Sequence, residues 1–211
     1  MKATEIKAII FDLGGVILDI DYNLTVKAFQ ALQFKDFDDH YSKMKQSGVF
    51  DRLERGEIGE HDFVVIMQES IPHASSQEIV DAWNAIILDF PDGRLEFIKH
   101  LERKLPIFLL SNTNEIHLAC FNGMLYDATK THIQDYFKKA YLSHEIGHRK
   151  PEAEAWSVIL KEQGLEACDV LFIDDSPQHI EAAKTMGMQT IHLIAIGDLE
   201  RELAPFLTQF N

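Results

Sequence analysis

The chain predicts a doubly wound α/β fold, a parallel sheet covered by helices, with a small helical segment inserted after the first strand. Three observations carry that expectation. The run Ile9-Ile10-Phe11 is apolar without alternation, and a strand of that kind is buried on both faces, as strands of parallel sheets are. It ends in Asp12 and then Gly14-Gly15, and a second such run, Val170-Leu171-Phe172-Ile173, ends in Asp174-Asp175. Strand-like runs then alternate with helical patterns through the second half of the chain, which implies right-handed crossovers.

Taken in order, strands are expected over Lys7 to Asp12, Pro106 to Ser111, Lys138 to Ser143, Val170 to Asp174 and Gln189 to Ile194. Each is an apolar or β-branched run closed by polar or turn residues. Helices are expected over Arg94 to Arg103, where Leu95, Ile98 and Leu101 share a face, and over Glu152 to Gln163, where Trp156, Ile159 and Leu160 do. A third, Gln178 to Met186, is stopped by Gly187. Between Val16 and Phe90 there is no strand-like run, only the amphipathic segments Tyr22 to Leu32, Phe37 to Gln46, His61 to Ser70 and Ser76 to Leu88. Roughly seventy residues exceed what a crossover needs. The chain is therefore expected to divide into a core of residues 1–17 and 90–211 and a helical insertion of residues 18–89. An insertion rooted beside Asp12 is placed to exclude water and select substrates. Trp83 and Trp156 lie on amphipathic faces and are expected to pack.

A length of 211 residues suits one core with an insertion. The formal charge of −14, from 34 acidic and 20 basic side chains, excludes nucleic acid and anionic membranes as partners by repulsion. An anionic substrate would need a local positive field. Cys120 and Cys168 show neither metal-ligand nor redox spacing and read as packed thiols in a reducing compartment. No signal-like apolar core opens the chain and no run approaches the ~20 residues of a membrane span. A cytoplasmic protein, monomeric or weakly homo-oligomeric, is expected.

Four polar pieces fall at or just beyond strand ends: Asp12, Ser111-Asn112-Thr113, Lys150-Pro151-Glu152 and Asp174-Asp175. That edge is where open α/β sheets bind ligands. Ser111 and the N–H groups after it would open a helix and cradle a phosphate. Pro151 reads as a first helical residue, holding Lys150 at a helix entrance. Asp12 is the acid on the turn after the first strand, and a carboxylate there can attack phosphorus to give an aspartyl phosphate that water hydrolyses. Mg²⁺ takes oxygen ligands, and Asp12, the backbone carbonyl of Gly14, and Asp175 with Asp174 behind it could supply them.

This ordered set resembles the haloacid dehalogenase-like (HAD) superfamily of aspartate-nucleophile hydrolases, and the insertion matches the position of that superfamily's C1-type cap. The resemblance implies that Lys150 holds the phosphoryl group and steadies Asp12, with Ser111 and Asn112 as further phosphate ligands. Phe11-Asp12-Leu13-Gly14-Gly15-Val16-Ile17, Leu110-Ser111-Asn112-Thr113-Asn114 and Arg149-Lys150-Pro151-Glu152 are most similar to one branch. It holds the bacterial α-D-glucose-1-phosphate phosphatases and, more distantly, the N-terminal phosphatase domain of soluble epoxide hydrolases. The resemblance further implies a Mg²⁺-dependent phosphatase of small phosphomonoesters, with sugar phosphates such as glucose 1-phosphate as substrates. Most such phosphatases carry a second aspartate two residues after the nucleophile as acid and base; here that position is Gly14. Acid–base assistance contributes ~10²–10⁴-fold, so its loss implies substrates with good leaving groups, sugar 1-phosphates and aryl phosphates. 2-Haloacid dehalogenases also lack that aspartate but use no metal, and Asp174-Asp175 favours the metal-dependent enzyme over a dehalogenase. A non-catalytic binder of a phosphorylated metabolite is the alternative from another class.

Other polar residues have two readings each. His179 either orients the metal carboxylates or is structural; His117, six residues past Ser111, is either a substitute acid or, one or two turns down its helix, packing. His144 and His148 have zinc-like spacing but Gly147 breaks the helix they would need. Phe50, Arg52, Glu54, Arg55 and Glu57 cluster around Gly56 in a polar turn of the insertion, whose arginines either reach sugar hydroxyls or phosphate or belong to a solvated helix end.

Overall fold

The computed structural model describes residues 6–34 and 48–207, so the expected helix Phe37 to Gln46 lies outside the described residues. Among the described residues five parallel strands form one sheet: β1 (Ala8–Phe11), β2 (Ile107–Ser111), β3 (Lys139–Leu142), β4 (Val170–Asp174) and β5 (Gln189–His192), in the order β3-β2-β1-β4-β5. All five predicted strands form; β4 spans the residues expected, and the other four are one or two residues shorter. The absence of alternation in β1, β2 and β4 has its expected cause. Ile9, Phe11, Ile107, Leu109, Leu171 and Ile173 face one apolar layer, while Ala8, Ile10, Phe108, Leu110, Val170 and Phe172 face the other.

The segment between β1 and β2 is helical, with α1 (Tyr22–Ala31), α2 (Val49–Glu54), α3 (Glu60–Ser70), α4 (Ser76–Asn84) and α5 (Arg94–Glu102). The apolar side chains of α1 to α4 and their loops, Phe29, Phe50, Phe63, Met67, Ile79 and Trp83 among them, close into a cluster of their own with Ile116, while Leu95, Ile98 and Leu101 of α5 join the sheet core. The segment's entry and exit strands meet where Ile20 bridges Ile87 antiparallel, with Asp19 N–H on the Asp89 carbonyl and Asp21 N–H on the Ile86 carbonyl. After β2 come α6 (Glu115–Thr129), α7 (Ser143–Ile146), α8 (Ala153–Gln163), α9 (Pro177–Thr185) and α10 (Leu199–Leu207). Ser75 caps α4 in a full capping box with Glu78. The helix expected from Ser76 to Leu88 therefore starts as read but ends at Asn84, where the chain turns to form the Ile87 bridge.

Two local expectations are corrected. Pro151 does not begin a helix: Glu152 is the N-cap of α8, and the Lys150–Pro151 peptide is cis. Ser111 does not cap the helix after β2 either. Asn114 does, its Oδ1 accepting from the N–H groups of Ile116 and His117. Trp83 and Trp156 are buried as expected, whereas Cys168 is exposed and not packed.

Candidate active site

Strands β1 and β4 are neighbours where the strand order reverses, so Asp12, one residue beyond β1, and Asp174, the last residue of β4, emerge side by side. The Asp12 N–H donates to the Ile173 carbonyl at 2.9 Å, which fixes its backbone. Lys150 Nζ lies 2.6 Å from Asp12 Oδ1 and 2.7 Å from Asp174 Oδ2, with the lysine 1% exposed. The lysine is itself held by Asn112, whose Nδ2 donates to the Lys150 carbonyl and whose Oδ1 accepts its N–H, both at 2.8 Å. Asp174 also accepts from the Ser176 N–H at 2.8 Å and faces His179 Nδ1 at 3.0 Å. Asp175 stands at the open side. A Cβ on Gly15, whose φ is +73°, would lie 2.3 Å from Asp175 Oδ2, so both backbone and space demand glycine there.

These contacts set the charges. Burial pushes the Asp12 carboxyl up to about 7 although Lys150 pulls it down. Burial also acts to raise Asp174, but Lys150 and His179 together outweigh it and hold that carboxyl at about 2. Burial, then the neighbouring Asp174, raises Asp175. One ammonium faces three carboxylates, each with an oxygen within 4.8 Å of the others. An all-oxygen set with surplus negative charge fits a hard divalent cation. The bonds closing the turn run from Leu18 N–H to the Leu13 carbonyl and from Gly15 N–H to the Leu18 carbonyl, bypassing the Gly14 carbonyl.

Above this floor is a cavity of about 960 Å³ to which Asp12, Gly14, Ser111, Asn112, Lys150 and Asp175 all contribute. Its far wall comes from the helical segment. Phe50 stacks on Trp83 and Trp83 on His117, each pair 5.1 Å apart at 9° and 14°. His117 is spent on structure, as its packing reading expects: its Nε2 lies 3.1 Å from the Trp83 carbonyl and its Nδ1 3.2 Å from the Asn114 amide. Burial drives its pKa down to about 4, so it is neutral near pH 7.

A charge network closes the rim. Arg55 pairs both guanidinium nitrogens with the Glu152 carboxylate and donates Nε to Asp51 at 2.8 Å. Arg149 reaches Asp51 Oδ1 at 2.8 Å and Glu54 Oε2 at 2.5 Å. Gly56, at φ +68°, lets the helical segment touch the core, since a Cβ there would meet the His144 carbonyl at 2.2 Å. Arg55 is therefore a strap between the two regions, while Arg52 pairs loosely with Glu57 at 3.9 Å.

The structure brings Asp12, Gly14, Ser111, Asn112, Lys150 and Asp175 to one cavity, with Asp174 buried directly behind Lys150. Sequence reasoning placed Glu54 in the polar turn around Gly56 and Arg149 beside Lys150, but missed Asp51 and the network that joins the three. The available signal was the charge pattern Asp51-Arg52-Leu53-Glu54-Arg55 beside Arg149 in a motif already singled out, but nothing local says those two segments meet.

A carboxylate gripped by a buried lysine thus stands at the switch point of a doubly wound sheet, beneath a helical cover. Comparison with known proteins gives the family. The family model for haloacid dehalogenase-like hydrolases matches residues 6–187. The D-ribitol-5-phosphate phosphatase of Bacteroides thetaiotaomicron is 30% identical over 203 residues, 96% of this chain and 98% of the relative. A sesquiterpene phosphatase of Aspergillus oryzae is 26% identical over 192 residues, 90% and 91% of the two chains. The crystal structure of a HAD family enzyme from Bacteroides thetaiotaomicron, in complex with magnesium and inorganic phosphate, superposes with a TM-score of 0.81 at 30% identity, covering 88% of this chain and 93% of that one. The chain belongs to the haloacid dehalogenase-like hydrolase family.

Proposed function

We propose that the protein is a Mg²⁺-dependent phosphatase of small phosphomonoesters. The observation that carries this reading is Asp12, 2.6 Å from a buried lysine and facing a cavity shared with Asp175. Asp12 attacks phosphorus in line with the departing alcohol, giving an aspartyl phosphate that water then hydrolyses. Lys150 holds the carboxylate against rotation and offsets charge on the phosphoryl oxygens. Ser111 and Asn112 bind the same group, and the Asn112 carboxamide also fixes the lysine. Asp12, the Gly14 carbonyl and Asp175, backed by Asp174, would hold the magnesium, which neutralises phosphate charge when bound. Residues 18–89 act as a cap that covers the cavity and selects the leaving group.

Sugar and polyol phosphates are the proposed substrates. Glucose 1-phosphate follows from the motif resemblance, and ribitol 5-phosphate is named by the relative at 30% identity. The two free cysteines suit a reducing, cytoplasmic setting, and no helix among the described residues is long and apolar enough to cross a membrane. Phosphate release from a panel of phosphomonoesters, with Mg²⁺ and with chelator, tests the reading. Metal-dependent turnover is expected; turnover of 2-haloacids that survives chelation would replace it with a dehalogenase, and tight phosphate-ester binding without turnover would replace it with a binder.

A further inference from the structure

We propose, resting on the phosphatase reading, that Glu54 of the helical segment is the general acid and base that Gly14 cannot be. An alkoxide leaving from phosphorus needs a proton, and the turn after Asp12 offers none. A side chain at position 14 would first meet Ile20 Cδ1, 2.9 Å from the site of its Cβ. Among the described residues lining the cavity the acids are Asp12, Asp51, Glu54 and Asp175. Asp12 is the nucleophile and Asp175 belongs to the cation site. Asp51 is fixed as a carboxylate by hydrogen bonds from Arg55 and Arg149, which lower its pKa. His117 has both ring nitrogens engaged, and His179 is turned onto Asp174.

Glu54 differs from each of these. Its Oε2 is buried and pairs with Arg149 Nη2 at 2.5 Å, whereas Asp51 receives both Arg55 and Arg149. The groups facing it are Asp51 on its own helix and Arg149 and Lys150 on the core loop. Burial, the largest influence, raises its pKa, and Arg149 opposes that in part. Glu54 lines the same cavity as Asp12 and Lys150, Glu54 from the helical segment and the other two from the core, so an acid from the cover faces the space in which the ester must sit.

The chemistry balances. As Asp12 Oδ forms its bond to phosphorus, the ester P–O bond breaks and the leaving oxygen takes the proton carried on Glu54 Oε1, leaving a carboxylate. That carboxylate then removes a proton from the water that attacks the aspartyl phosphate. Inorganic phosphate leaves, Asp12 is a carboxylate again, and Glu54 is reprotonated. Acid assistance from the helical segment removes the restriction to good leaving groups, so alkyl phosphates become substrates.

The test is leaving-group dependence in Glu54→Gln, which keeps shape but carries no titratable proton. With Mg²⁺ present, kcat for a primary alkyl phosphate, ribitol 5-phosphate, should fall by about 10²–10³-fold, while kcat for p-nitrophenyl phosphate, whose phenolate leaves unaided, falls less than about threefold. Glu54→Asp should restore part of the alkyl activity, and the alkaline limb of the alkyl pH profile should vanish in Glu54→Gln. Equal losses on both esters, or no loss on either, overturn the assignment and leave Glu54 a structural partner of Arg149. No turnover of either ester by the unaltered enzyme overturns the phosphatase reading itself.

Discussion

The sheet core and the helical segment are both closed around apolar clusters, yet they use polar side chains in opposite ways. In the core, Asp174 is fully buried, Lys150 is 1% exposed, and both are reached by backbone groups or short rigid partners. The helical segment meets the core through long side chains at the rim, Arg55 to Glu152 and Arg149 to Asp51, all 19–39% exposed. The core even supplies a helix cap to its neighbour, since the Glu115 carboxylate accepts the Glu60 N–H at the start of α3, where Gly59 offers no side chain. Buried pairs fixed by backbone resist displacement, whereas exposed pairs on flexible stems exchange with water at little cost. One region thus holds its atoms still, and the proposed cap is the region expected to open and close on it.

That contrast is tested most severely at the core. Asp12→Asn should lower kcat by on the order of 10⁴-fold or more while leaving the melting temperature within a few degrees, because the amide keeps the shape of the side chain. Residual turnover within tenfold of the original would remove Asp12 as nucleophile. Lys150→Met should act on stability as well: deleting the ammonium strands two buried carboxylates, a loss of about 3–5 kcal/mol in denaturant unfolding. A loss under about 1 kcal/mol, the ceiling for exposed pairs, would show that the core pair is no more demanding than the rim pairs.

What the sequence revealed divides along the same line. The order of strands and the acids that end them were legible because burial on both faces forbids alternation, and because Asp12 and Asp174 follow apolar runs directly. Lys150 was legible as a motif, but its support was not: the Asn112 carboxamide reaches it across 38 residues. The rim network and the Phe50–Trp83–His117 stack were illegible for one physical reason. They depend on how α2 and α4 dock against α6 and the loop before α8, and a helix's own periodicity says which face is apolar without saying what that face meets.

Between core and rim stands His117, a core residue stacked on the helical segment. Its pKa of about 4, against an ordinary 6.5, means that acid protonates the unfolded chain first. Stability linked to this group is complete above pH 6.5 and is lost as pH falls from there towards 4, by about 3 kcal/mol in all. His117→Gln should flatten that part of the pH–stability curve when compared with the unaltered protein. Parallel curves would mean that the stack loosens enough to hydrate the imidazole.

The smallest effect should come from the rim itself. Glu152→Ala removes the carboxylate that receives Arg55, a pair whose side chains are 19% and 38% exposed, so the unfolding free energy should change by about 1 kcal/mol or less. Arg55 retains Asp51 at 2.8 Å, and Arg149 still holds Asp51 and Glu54. The consequence should therefore appear in capture more than in chemistry: KM rises about threefold to tenfold while kcat changes less than about twofold, because the closed arrangement is populated less often but is unaltered once formed. Salt should imitate the substitution in the unaltered enzyme and do little to the variant, since screening weakens exposed pairs first. A fall in kcat with KM unchanged would place Glu152 among the groups that act on the transition state, and the division between a fixed floor and a movable cover would fail at its rim.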